Sequence, residues 1–205
     1  LEAIDVVIDR ALQKAGLSLA DIDAFAATAG PGLIGGVAVG TVTAKAIAAA
    51  RQRPYYAVNH LEGHALSARL TNSIEFPFLL LLVSGGHTQL LAVACPGRYH
   101  RYGTTMDDAA GEAFDKCAKI MGLGYLGGPA IEKAARQGDA RATLLPRPLK
   151  GADHCHFSFS GLKTALANRL KQLGGVEQAP LHDLAASLQA AIADCLSDRS
   201  QRAMC

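Results

Sequence analysis

Apolar and polar residues change rhythm several times along the chain, and each change predicts an element. Ile4, Val7, Ile8, Ala11, Leu12 and Ala15 recur at helical spacing, so residues 1–16 read as a helix stopped by Gly16. Residues 24–29 are a small and apolar run that predicts a strand, broken by Gly30-Pro31-Gly32. A helix over about 33–51 follows, rich in small residues (Gly35, Gly36, Gly40, Thr41, Ala44) that let it lie close to a sheet or another helix. Residues 55–58 predict a short strand, and Asn59 caps a helix from His60 to about residue 70. Residues 76–93 hold two apolar runs around the turn Ser84-Gly85-Gly86, the pattern of strand, tight turn, strand. Neither run alternates apolar with polar, which predicts that both strands lie deep inside a covered sheet.

Further along, residues 99–106 read as a loop, and Asp107-Asp108 as the cap of a helix over 109–121. A glycine-rich turn over 122–129 leads to a helix near 130–137 and a loop over 138–159. Ser160 caps a helix over 161–173 that Gly174-Gly175 ends, and a last helix spans about 181–198. Strands alternating with helices, with one hairpin, predict an α/β layered fold with helices on the sheet faces.

The bulk properties narrow the function classes. With 205 residues, half of them hydrophobic, the chain can bury a sizeable core in one domain or two small ones. Charged residues make up 19% and the net charge is +2, which excludes nucleic-acid binding by overall charge alone. Cys95, Cys117, Cys155, Cys195 and Cys205 are scattered without a CxxC, so neither a thiolate zinc site nor a disulfide framework is predicted, and a reducing cytoplasmic setting fits. No apolar run approaches the ~18 residues of a membrane span, and no signal peptide is visible. The chain opens inside a helix and stops in one, which predicts a piece of a longer protein.

Three stretches can carry chemistry. His60 and His64 stand at i and i+4, so both imidazoles can reach one divalent cation, or they can be helix-end histidines without metal. The stretch is not HExxH, because Glu62 stands one position too late. The Ser84-Gly85-Gly86 turn reads either as a hairpin needing glycine for positive φ or as backbone N–H groups turned towards an anion. Gly30–Gly36 likewise reads as helix packing or as phosphate binding at a helix N-terminus, though it is neither a P-loop nor a GxGxxG. Asp108, Glu112 and Asp115 share one helix face and read either as solvated acids, two of them favouring a helix N-terminus, or as ligands; unshielded acids repel slightly, which tilts towards a ligand role for at least one. His154 and His156 read as loop histidines. Arg136, Arg141, Arg147, Lys150 and Lys163 make 136–163 basic, either a solvated face or a patch for RNA phosphate.

Taken together, five motifs stand in order: Asn59-His60-Leu61-Glu62-Gly63-His64, Val83-Ser84-Gly85-Gly86-His87-Thr88, Asp107-Asp108-Ala109-Ala110-Gly111-Glu112-Ala113-Phe114-Asp115-Lys116, Gly127-Gly128-Pro129, and Phe157-Ser158-Phe159-Ser160-Gly161-Leu162-Lys163. In these the chain resembles the bacterial TsaD family of tRNA threonylcarbamoyladenosine synthases, once called O-sialoglycoprotein endopeptidases. The resemblance implies an actin-like ATPase fold of two related lobes, incomplete in this chain. Residues 1–75 would be the latter part of the N-terminal lobe and 76–205 an incomplete C-terminal lobe. It implies transfer of a threonylcarbamoyl group from threonylcarbamoyl-AMP to N6 of the adenosine beside the anticodon of tRNAs reading ANN codons.

By the same resemblance, His60 and His64 hold one divalent metal, iron or zinc. Leu82, Val83, Ser84, Gly85 and Gly86 cradle the phosphate and carbamoyl region, and Asp115 and Gly128 meet the ribose and adenine. A TsaB-like paralogue and a TsaE-like ATPase are implied as partners, and no membrane. The family also has an opening strand with an acidic loop, and closing segments that supply an adenine-binding Asn and a third metal ligand, an Asp. This chain has none of them, so the expectation is weak metal binding and poor activity alone. Two other classes stay open: a metal-dependent endopeptidase, suggested by the histidine spacing, and a non-catalytic actin-like scaffold.

Overall fold

The computed structural model describes residues 3–124 and 126–205; Leu1 and Glu2, assigned above to the first helix, and Tyr125 of the glycine-rich turn lie outside the described residues. The chain divides into two compact units, Leu1–Ile74 and Glu75–Cys205. The first runs α1 (Ile4–Ala15), β1 (Phe25–Gly30), α2 (Ile34–Ala50), β2 (Tyr55–Asn59) and α3 (His60–Thr71). Gly16 ends α1 in the left-handed conformation, with φ 66°. β1 and β2 pair in parallel, Phe25 opposite Tyr55 through Thr28 opposite Val58, and α2 is the crossover between them. Thr41 on α2 donates to the Thr28 carbonyl at 3.3 Å and ties the helix to β1. Among the described hydrophobic residues of this unit only Ala48 and Ala65 are buried.

The second unit runs β3 (Phe78–Val83), β4 (Thr88–Cys95), β5 (Arg98–Thr104), α4 (Ala110–Ile120), α5 (Gly127–Ala135), α6 (Ser160–Gln172) and α7 (Leu181–Met204). Its antiparallel sheet has the order β3-β4-β5. β5 corrects the loop expected over 99–106: a two-residue turn at Pro96-Gly97, with Gly97 at φ 78°, folds it back onto β4. The covered-sheet expectation holds for β4, where Thr88, Leu90, Leu91 and Val93 are buried, and fails for β3. β3 pairs with β4 alone, and Leu81 and Val83 stay 38% and 44% exposed on that edge. The core gathers under the helices. Leu162, Leu166 and Leu170 make a stripe on α6 at four-residue spacing, and Leu184, Leu188 and Ile192 do the same on α7. Arg199, 2% exposed at the far end of α7, donates to the carbonyls of Ala152 and His154 and to Asp198, and pins the long loop to the helix. Among the described residues no helix is long and apolar enough to cross a membrane.

Candidate functional site

In the first unit, β2 runs straight into α3, and Asn59 sits at the joint. Its side-chain oxygen accepts from Leu61 N at 2.8 Å and Glu62 N at 3.3 Å, so the first turn starts as the sequence predicts. That start fixes His60 and His64 one turn apart. Their Nε2 atoms are 3.2 Å from each other and their rings meet edge to face at 4.5 Å. Two nitrogens bound at ~2.0–2.1 Å to one tetrahedral ion stand about 3.3 Å apart, so the separation of the pair is one that a shared divalent cation would have. Both side chains are exposed and line a cavity of about 260 Å³ with Thr28, Val58, Asn59 and Gly63. His60 also borders a second cavity, of about 410 Å³, that opens along Pro31, Gly32, Gly36 and Gly40 at the start of α2. Among the described residues no third His, Cys, Asp or Glu completes a metal group.

In the second unit, Leu82 and Val83 end β3 and lead into the Ser84–Gly86 turn. Gly85 and Gly86 are exposed, neither has the left-handed φ of the hairpin reading, and a methyl group added at either would meet nothing. The turn is closed instead by serine. Ser84 Oγ accepts from Gly86 N at 3.3 Å and His87 N at 3.0 Å, and Ser84 N donates to the His87 carbonyl at 2.8 Å. An anion seated here would take over those two N–H groups from the hydroxyl. Gly111 at the start of α4 donates to the Ser84 carbonyl at 3.2 Å, and a Cβ on it would fall 2.7 Å from that oxygen. Glycine is needed there for close approach, so the turn rests on the helix end.

The caps differ from the expectation. Asp107 and Asp108 do not cap α4; Ala110 N donates to Oγ1 of the buried Thr88, at 2.9 Å, from the neighbouring strand. Asp107 caps α6 instead, accepting from Phe159 N, Ser160 N and both the Ser158 and Ser160 hydroxyls. Partial burial pushes its carboxyl up, but these hydrogen bonds outweigh that and hold it below the usual carboxylate range. Ser160, the expected cap, is the first residue of the helix.

The three acids do not form one face of α4, because Asp108 lies before its first residue; Lys116, a residue the sequence reading passed over, shields two of them. Lys116 reaches Asp108 at 2.6 Å and Glu112 at 2.9 Å; the bond to Asp108 raises the lysine's pKa, and the bond from Lys116 lowers that of Glu112. The i,i+4 spacing from Glu112 was the available signal. Asp115 accepts from Gly127 N at 2.9 Å and so caps α5, whose start approaches so closely that a Cβ on Gly127 would lie 2.5 Å from Asp115 Cα. With Lys116, Lys119, Gly124, Leu126 and Gly127, Asp115 lines a cavity of about 420 Å³. Gly128 follows in the first turn of α5, with open space where a side chain would be. Burial pushes the Cys117 thiol, on the inner face of α4, up to about 12, which makes it inert.

Four of the remaining sequence candidates have structural partners. His156 Nδ1 accepts from Thr104 N at 3.3 Å and His154 Nδ1 from His156 N at 3.2 Å, as fits loop histidines. Arg136 pairs with Glu132 at 2.8 Å and Arg147 with Asp194 at 2.9 Å, so the basic stretch is not a uniform cationic surface.

An α/β protein with an imidazole pair at a strand-to-helix joint and a serine–glycine turn seated on a helix end is the class these features define. A sequence model described as "TsaD: tRNA N6-adenosine threonylcarbamoyltransferase" matches residues 1–205, and the chain belongs to that family. Proteins of that description from Brucella suis (strain ATCC 23445 / NCTC 10510) and Brucella ovis are each 60% identical to it, over 204 and 203 residues. The matches take in 100% and 99% of this chain but 57% and 56% of those proteins, so the chain spans little more than half their length. A solved structure described as an uncharacterized protein with similarity to peptidase YEAZ, from Pseudomonas aeruginosa, aligns with 49% of this chain and 47% of its own at a TM-score of 0.38 and 24% identity.

Proposed function

We propose that this chain contributes to a cytoplasmic enzyme that forms threonylcarbamoyladenosine in tRNA, with the two units as parts of two actin-like lobes. Support comes from the family match along residues 1–205 together with one local observation: the 3.2 Å separation of the His60 and His64 nitrogens. In the reaction, adenosine N6 attacks the carbamoyl carbon of threonylcarbamoyl-AMP. The new N–C bond forms, the C–O bond to the phosphate breaks, AMP departs and N6 loses one proton. A divalent ion, iron or zinc, would supply Lewis acidity to the carbamoyl oxygen.

The chain's own residues do the holding. His60 and His64 present paired nitrogens for the ion. Leu82, Val83, Ser84, Gly85 and Gly86 offer backbone at the end of β3 for the phosphate and carbamoyl groups, with the Gly86 and His87 N–H groups released from Ser84 as the ligand seats. Asp115 already accepts one N–H and has a second oxygen for a ribose hydroxyl, and Gly128 leaves room for a flat base. A third metal ligand, a TsaB-like paralogue and a TsaE-like ATPase complete the reading. Calorimetric titration with threonylcarbamoyl-AMP in the presence of Zn²⁺ tests it. Saturable binding that weakens in Asp115→Ala and in His60→Ala is expected, and a chain that shows no saturable binding contradicts the proposal.

A further inference from the structure

A cavity of about 340 Å³ lies between α6 and residues 142–145 of the long loop, in a part of the second unit that none of the site residues above reaches. From α6 it receives Asn168, Arg169 and Gln172, and from the loop Thr143 and Leu144. The guanidinium of Arg169 is the feature that asks for a ligand. Its Nε is buried and has no hydrogen-bond partner. Its Nη1 reaches Gln172 Oε1 only at 3.4 Å, a long bond. Among the described residues no ion pair includes Arg169, and no acidic side chain lines the cavity.

Arginine cannot shed its charge, and although the residue as a whole is only half-buried, its buried Nε–H is one donor of that cation left in want of an acceptor. The helix end does not meet that want. The closing carbonyls of α6 are taken by backbone: Arg169 O by Leu173 N at 3.1 Å, Leu170 O by Gly175 N at 2.9 Å and Lys171 O by Gly174 N at 3.2 Å.

We propose that this cavity binds a small ligand carrying an oxyanion on an apolar body. The oxyanion would accept from Arg169 Nε and Nη in the forked geometry that guanidinium favours, with the Asn168 and Gln172 amides as further donors. Leu144, 94% exposed at the rim, and Ala142 and Ala165 give the body apolar contact. The head can be a planar carboxylate or a tetrahedral phosphate, because both accept from the fork.

The test follows the Arg169 Nε–H resonance of the 205-residue chain during titrations with hexanoate, inorganic phosphate and hexylamine. Hexanoate is expected to move that resonance and the Asn168 and Gln172 side-chain amides in a saturable way, and hexylamine to leave them in place. A stronger response to phosphate than to hexanoate assigns the head as phosphate. Arg169→Gln should weaken binding at least about tenfold. Ala142→Phe, an exposed change at the rim that keeps the arginine, should block it independently of any folding defect in the first variant. The proposal is overturned if neither anion moves the Arg169 resonance, if hexylamine moves it equally, or if Ala142→Phe binds as the parent does.

Discussion

The two units hold their functional residues by different means. In Leu1–Ile74 almost nothing is buried, and Leu33, Ile34 and Leu70 are 86% exposed or more. Here the site is local geometry: one asparagine cap, one helix turn, two imidazoles. In Glu75–Cys205 a continuous core of leucines and alanines fixes four helices against a sheet, and the site is tertiary. The Ser84 turn stands where it does because Gly111 lets α4 approach, and Asp115 is oriented by the start of α5. Packing sets geometry in the second unit, and chain-local hydrogen bonding sets it in the first. Mutations should therefore read differently in the two.

The largest contrast is in the leucines. Leu188→Ala, at a fully buried α7 position, should cost about 2–5 kcal/mol of unfolding free energy in urea. Leu33→Ala, 89% exposed, should stay within about 0.5 kcal/mol. Equal effects would break the comparison. Next comes Arg199→Ala, which strips the loop carbonyls of their buried donor and should cost about 3 kcal/mol, with early protease cleavage near residues 152–154 as its signature. Gly111→Ala should cost about 1–3 kcal/mol by pushing the Ser84 turn away, and should weaken threonylcarbamoyl-AMP binding more than Asp107→Ala does.

Asp107→Ala should cost about 1–2 kcal/mol through the lost α6 cap. Its pH dependence has a definite sign. The folded pKa lies below the unfolded one, so the carboxylate's stabilisation is fully present above the unfolded value, about 3.9, and is lost as pH falls through the folded value. The gap between parent and Asp107→Ala should accordingly be constant near neutral pH and close below about pH 4. A gap that widens in acid would contradict the cap.

Legibility in the sequence follows the same division. α1, α2 and α3 are bounded by signals within a few residues of their ends, Gly16, Gly30-Pro31-Gly32 and Asn59, and they form within a residue or two of where those signals fall. The histidine pair was legible because i,i+4 spacing is a property of one helix. In the second unit local signals misled wherever a distant partner took over. Asp107 looks like a cap for the helix just after it, yet its acceptors serve a helix 52 residues on. Thr88 carries no local mark of capping α4, because its partner is supplied by the fold. β5 reads as a loop in sequence because Arg98, His100, Arg101 and Tyr102 show no apolar face; pairing with β4 makes it a strand. β3 reads as covered because its sequence is apolar on both faces, although among the described residues the sheet pairs it along one edge alone.

The smallest effect on stability should come from the histidines. His60→Ala and His64→Ala, both at exposed positions, should change unfolding free energy by less than about 0.5 kcal/mol. Zn²⁺ titration of the parent chain and of these two variants, followed by the imidazole resonances, is the direct measurement. One equivalent is expected to bind weakly through both Nε2 atoms in the parent, and that binding to be lost in either variant. Zn²⁺ binding of undiminished affinity in either variant would contradict this.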